Sequence, residues 1–265
     1  FKDTRFGYLT LFIAQVLAIH SPLRSQDRGV ANHEWLKTFH TWSFSTYNDP
    51  KFQEFGCLRV LNEDRVQPGT GFGSHSHREF EIFSYIVDGE LQHKDSMGNT
   101  EIIHRGEIQF TSAGTGITHS EYNINKSLPV HFIQIWVKPD ESQLKPSYSM
   151  KKWLDTDKEN KLALLVDNIK DADANVIPIH AKLSMYASIL SPSKSVTYAF
   201  KRSKGYLHLI MRSGYETPEK SAKLKIKDEV LNEGDGVFIL CEPETEVTIE
   251  SLGDVTAEFL LFDLE

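Results

Sequence analysis

From Arg28 onward the chain alternates short apolar runs with turn residues. FGCLRVLN (55–62), FEIFSYIVDG (80–89), ELQHKD (90–95), NTEIIH (99–104) and HFIQIWV (131–137) are bounded by Gly, Asn, Asp and Pro, the punctuation of strands rather than helices. A second set follows: HAKLSMYASIL (180–190), SVTYAF (195–200), GYLHLIM (205–211), AKLKIKDEVL (222–231), GVFILCE (236–242), TEVTIES (245–251) and TAEFLLFDL (256–264). Many short strands with close turn signals predict an all-β sandwich or barrel with few short helices, not a βαβ sheet. Asp95-Ser96-Met97-Gly98-Asn99 marks a hairpin turn, because Gly and Asn tolerate the positive φ such a turn demands.

Two units of similar size and strand density predict an internal duplication. Arg105-Gly106-Glu107 and Glu233-Gly234-Asp235 each set Gly and an acid just before a strand, a short match of the kind a duplication leaves. Between the units, after Pro139, the composition turns polar and rich in Lys and Asp. The expected divisions are an uncertain segment over 1–25, a first domain over 26–140, a connection over 141–165 and a second domain over 166–265. Gly7 to Ile19 (GYLTLFIAQVLAI) is strongly apolar but too short to span a bilayer comfortably. It could serve as the apolar part of a secretion signal; with Phe1 first and no methionine before Met97, the N-terminus reads as trimmed or mis-started.

Composition narrows the function classes. A chain with 40% hydrophobic and 25% charged residues can bury a proper core. A formal charge of -8 argues against an extended nucleic-acid footprint, which needs clustered Lys and Arg. The one basic run, Lys220 to Lys227, alternates with apolar residues and reads as a half-exposed strand. Cys57 and Cys241 lie far apart in apolar segments, so they are expected to be buried thiols in a reducing compartment.

Chemistry concentrates in two places. In Gly69-Thr-Gly71-Phe-Gly73-Ser-His75-Ser-His77-Arg-Glu79-Phe-Glu81, the histidines are two residues apart, so on a strand both imidazoles aim to one face. Neutral imidazole is the commonest protein ligand for first-row transition metals. In Gly114-Thr-Gly116-Ile-Thr-His119-Ser-Glu121-Tyr-Asn123, His119 and Glu121 repeat that spacing. Three nitrogens and one oxygen suit Fe, Mn, Ni, Cu or Zn and leave room for water, O2 or a chelating substrate. Glu79 and Glu81 share strand parity with the histidines, so periodicity alone leaves either open as a carboxylate ligand. His93, His104, His131, His180 and His208 stand singly and are read as structural or exposed. Trp42, Phe44 and Tyr47 are read as core, with a ligand pocket as the alternative.

The two segments resemble the two cupin motifs, and the chain resembles the pirin family more closely still. RGVANHEWLKTFHTWSFSTYNDP, GFGSHSHREFEIFSYIVDGELQHKDSMGN, SAGTGITHSEYN and QIWVKP look like that family's N-terminal domain, and YLHLI with FLLFDL like its C-terminal one. The resemblance implies a bicupin of two jelly-roll barrels. It implies a metal held by His75, His77, His119 and Glu121 in the first barrel, whereas the general cupin pattern would nominate Glu81. With no His-x-His in the second unit, that barrel is expected to be metal-free. The resemblance further implies quercetin 2,3-dioxygenase activity, with Glu121 as ligand and base together, a flavonol-like aromatic substrate and O2. The expected cofactor is one mononuclear divalent transition metal, Fe(II) first, with Cu, Mn, Ni or Zn as alternatives. The rival reading is a non-enzymatic, iron-dependent and redox-sensitive transcriptional cofactor with a protein partner. A cupin-fold sugar-phosphate isomerase ranks lower, because no Arg and Lys cluster accompanies the metal motif. Neither direct nucleic-acid contact nor a membrane is expected. The expected location is cytoplasmic, with the nucleus as alternative and secretion left open by the apolar N-terminal segment.

Overall fold

A computed structural model describes residues 17–215 and 220–265. Among these, strands dominate, and the helical elements are the single turns Ser25–Asp27 and Asp155–Lys158. Most of the apolar Gly7–Ile19 stretch lies outside the described residues. The strands form two pairs of sheets, each pair one seven-stranded and one four-stranded sheet.

In the first unit the seven-stranded order is Ser147–Lys152, Glu107–Ser112, Glu81–Asp88, Val130–Val137, Leu58–Val66, Leu36–His40, Gly29–Asn32. Its partner sheet runs Gly71–His77, Ile117–Tyr122, Glu90–Asp95, Thr100–His104. The second unit repeats the plan: Leu17–Ile19, Gly236–Cys241, Lys204–Leu209, Ala257–Leu264, Leu183–Leu190, Ala163–Asn168, Ile177–Ile179, with Ser195–Ala199, Glu246–Ser251, Lys223–Ile226, Glu229–Asn232 as the smaller sheet. The duplication is therefore one of strand order in the inner strands, whereas the outermost ones differ: Ile177–Ile179 pairs in parallel and Gly29–Asn32 antiparallel. The short sequence match falls on equivalent hairpins, where Gly106 (φ 82°) and Gly234 (φ 85°) take the same left-handed turn. The all-β sandwich or barrel that the strand pattern predicts is thus present twice, as the two jelly rolls that the resemblance implies.

Packing explains why so many strands read as continuous apolar runs. Along Val130–Val137, Val130 and Phe132 face the interior of the first barrel. Ile133, Ile135 and Val137 instead join a cluster with Leu183, Met185, Leu260, Phe262 and Leu264 of the second unit. Ala257–Leu264 divides in the same way, with Phe259 and Leu261 inside the second barrel. The two large sheets thus pack face to face, and strands buried on both sides cannot show a polar alternation. The small sheets face water and do alternate, as in Glu246–Ser251.

Polar pairs pin this apolar seam. Glu63, fully buried, accepts from Nε2 of His131 (2.9 Å), Nε2 of His208 (2.8 Å) and the Met211 backbone N–H (2.7 Å). Burial alone would raise its carboxyl, but the imidazoles of His131 and His208 hold it well below the usual carboxylate range. Glu258 accepts from Tyr85 (2.5 Å) and pairs with Arg105 (2.9 Å) and Arg212 (3.1 Å).

Segments read as peripheral are built in. Ser147–Lys152, within the expected connection, forms the edge strand beside Glu107–Ser112. Leu17–Ile19 pairs with Gly236–Cys241, and the Ser25 N–H and the Arg24 guanidinium both bond Asp235 at 2.8 Å. Lys223–Ile226 is a strand with its lysines outward. Cys57 and Cys241 are free thiols, which burial pushes up to about 12 and about 11.

Candidate metal centre

The smaller sheet of the first unit brings the two motifs together. Gly71–His77 runs antiparallel to Ile117–Tyr122, with His75 opposite His119 and His77 opposite Ile117. A register shift follows, so that Glu121 meets Phe72; the extra residue lies on the glycine-rich side, at Gly73-Ser74. Such bulges re-aim side chains next to functional sites. Gly71 is required by close approach: a Cβ there would sit 2.2 Å from the Glu121 carbonyl oxygen. Gly114 is required by its left-handed turn (φ +44°) and by Leu144, whose carbonyl oxygen would lie 1.9 Å from a Cβ. Its own carbonyl accepts from the Glu79 N–H at 3.0 Å, which fastens the second motif to the end of the first.

The three imidazoles form a near-equilateral triangle, with ring centroids 4.7 Å (His75 and His77), 4.6 Å (His75 and His119) and 4.8 Å (His77 and His119) apart. One ring nitrogen of each lies within 4.8 Å of the others. His75 Nδ1–H donates to the Gly73 carbonyl at 2.7 Å, which leaves Nε2 as the nitrogen with the free lone pair. That Nε2 stands 3.0 Å from His119 Nε2. Two nitrogens each about 2.1 Å from one ion, at a right angle, would stand about 3 Å apart. Burial and the neighbouring imidazoles push His119 down to about 3 and His77 down to about 4, so both are uncharged at neutral pH. Converging and held by the two paired strands, this donor set fits a single divalent transition metal.

Glu121 lies beside the triangle, 3% exposed, and lines one cleft with His75 and His77. It is not part of the compact imidazole group. Its Oε1 accepts from Ser84 Oγ at 3.0 Å and its Oε2 from Gln134 Nε2 at 3.2 Å. The other carboxylate candidates are elsewhere. Glu79 sits at φ 60° and accepts from the Gln143 N–H. This turn ends the histidine strand, so parity does not carry through to Glu81, which starts a strand of the opposite sheet. Glu81 faces the second unit and accepts from the His180 N–H (2.9 Å) and Nδ1 (2.8 Å).

Of the remaining lone histidines, His104 is exposed and the buried ones serve the fold. His131 and His208 bind Glu63, as above. His93 is buried behind His119, with its Nε2 3.0 Å from Asp95 and its ring stacked on Tyr148. Trp42 is core, packed on Tyr206 and Phe238, whereas Phe44 lines the cleft. Sequence reasoning missed Ser84, Gln134 and Trp136, whose ring meets His77 edge-on at 4.7 Å. The available signal was a polar residue at inward parity inside an apolar run: Ser84 in FEIFSYIVDG and Gln134 in HFIQIWV. In the second barrel the equivalent strands turn Val196, Tyr198, Val247 and Ile249 inward, into an apolar cluster.

Comparison with known proteins agrees with this architecture. The family model "Pirin" matches residues 23–137, and "Quercetinase C-terminal cupin domain" matches 169–264. A curated quercetin 2,3-dioxygenase of Escherichia coli (strain K12) is 34% identical over 242 residues, 91% of this chain and 96% of that protein. A pirin-like protein of Caulobacter vibrioides is 35% identical over 235 residues, 89% of this chain and 95% of that one. The crystal structure of bacterial pirin YhhW from Escherichia coli in complex with nickel(II) superposes with a TM-score of 0.80 at 32% identity, covering 94% of this chain and 99% of that one.

Proposed function

The chain belongs to the pirin family, and from that premise we propose that it is a metal-dependent dioxygenase acting on a flavonol such as quercetin, with His75, His77, His119 and Glu121 holding one Fe(II). The observation that carries this reading is the triangle of converging imidazoles beside a buried, hydrogen-bonded carboxylate at one cleft. When bound, the ion supplies Lewis acidity for the oxygens of a chelating substrate and a route for reaction with O2.

The residues of the chain do the rest. A flavonol offers its 3-hydroxyl and 4-carbonyl oxygens toward the imidazoles, and Glu121 takes the hydroxyl proton. Ser84 and Gln134 fix the Glu121 carboxylate, so it need not reorganise before accepting that proton. Phe44, Phe72 and Trp136 wall the cleft and exclude water from the anion that forms. None of the described residues lining the cleft is Lys or Arg, which counts against a sugar-phosphate substrate.

The test is O2 uptake with quercetin by protein reconstituted separately with Fe(II), Mn, Ni, Cu and Zn. Coupled loss of O2 and flavonol absorbance is expected, with Fe(II) most active. Stoichiometric metal without O2 uptake in every form would overturn the enzymatic reading and leave the non-enzymatic, redox-sensitive role.

A further inference from the structure

The wall opposite the imidazoles is polar where a barrel interior is normally apolar. Leu36–His40 and Leu58–Val66 pair so that Thr38 faces Asp64 and His40 faces Asn62, and all four side chains line the cleft. His40 Nδ1 and Asn62 Oδ1 satisfy each other at 2.8 Å. The other pair is incompletely satisfied: neither Thr38 Oγ1 nor Asp64 Oδ1 makes a hydrogen bond of good geometry, although the Thr38 hydroxyl is near enough to favour the Asp64 carboxylate, and each residue is only 3% exposed. Gln134 Oε1 and Trp136 Nε1, on the adjoining strand, are likewise unpartnered. Buried polar atoms are nearly always paired, so four orphans around one cleft call for a ligand, or water it displaces, with its own polar groups.

We infer that Asp64 and Thr38 form a hydroxyl-binding subsite, so that the cleft selects a planar oxygen chelator carrying a hydroxyl on the part of the molecule remote from its chelating oxygens. This rests on the flavonol reading above and goes beyond it, because chelation alone would accept any 3-hydroxy-4-carbonyl compound. Phe44, Phe72 and Trp136 line the same cleft and give a planar ligand aromatic walls to pack against. Asp64 Oδ1 accepts from the remote hydroxyl, and Thr38 Oγ1 completes its coordination. A ligand without that hydroxyl leaves the carboxyl buried and unpaired, which is how such sites reject analogues. Burial pushes the Asp64 carboxyl up to about 7, more than the Thr38 hydroxyl beside it offsets.

The test uses quercetin and 3-hydroxyflavone, which share the chelating oxygens but differ in ring hydroxyls. Binding to metal-loaded protein is titrated without O2, so no turnover intervenes. Titrated at about pH 8, where the Asp64 carboxyl is mostly ionised, wild type is expected to prefer quercetin by about 10- to 100-fold, the range for a hydrogen bond to a buried charged group. Asp64→Leu should remove that preference, weakening quercetin and tightening 3-hydroxyflavone, which no longer leaves a carboxyl unpaired. Thr38→Val, which keeps side-chain shape, should reduce the preference in part and serves if Asp64→Leu does not fold. Equal binding of both compounds by wild type, or an undiminished preference in a folded variant, overturns the subsite alone. Binding of neither compound by wild type overturns the flavonol reading and the subsite with it.

Discussion

At the scale of single residues, the site separates groups that hold position from groups that do chemistry. His75→Ala or His77→Ala is expected to abolish stoichiometric metal while leaving the β fold, because the apolar clusters stand without it. Elemental analysis paired with circular dichroism reads both halves of that statement. Glu121→Gln should keep a neutral oxygen donor yet lose the proton acceptor, so turnover should fall by about 10²- to 10⁴-fold with metal partly retained. Glu81→Gln, which breaks a contact with His180 instead, should change kcat far less in matched metal-loaded samples. The reverse ranking would move the carboxylate role to Glu81. The histidines were legible because a two-residue spacing fixes a shared face along any unbroken strand. Asp64 and Thr38 were not, since what marks them is an absence of partners, and partners come from other strands.

At the scale of elements, the site depends on how two strands approach. Gly71→Ala would drive a methyl group into the Glu121 carbonyl, 2.2 Å away, and the strands must part to relieve it. The expected result is a folded protein with weakened metal affinity, measured by competition with a chelator. Unchanged affinity would mean that the bulge absorbs the strain. Most strands, and the duplication, could be read from runs and turns. Which side of a strand faces what could not, because in a strand buried on both faces apolar residues carry no direction. The turn at Glu79 shows the same limit: periodicity holds only while the strand lasts, and Glu81 lies beyond its end. Ser147–Lys152 was hidden in a polar stretch because an edge strand at the surface needs few apolar residues.

At the scale of the whole molecule, the two barrels share a core and should unfold together. Removing the Glu63 carboxylate leaves Arg28, His131 and His208 facing one another across the seam, so Glu63→Gln is expected to cost about 3 to 5 kcal/mol in urea unfolding. Because its folded pKa is depressed, the stabilisation is full above the unfolded value of 4.5 and is lost as pH falls from there toward the folded one. Wild-type stability should therefore decline below about pH 4.5, and the variant should lack that part of the decline. A single broken pair with no effect at pH 7 would place the coupling in the apolar contacts alone. The short strand Leu17–Ile19 has a practical bearing on how this protein is handled. It covers the outer edge of Gly236–Cys241, whose N–H and C=O groups would otherwise template pairing with another chain. A preparation that begins at residue 26, where the sequence pattern invites a cut, should elute as aggregates on size exclusion, whereas one that begins at 17 should stay monodisperse.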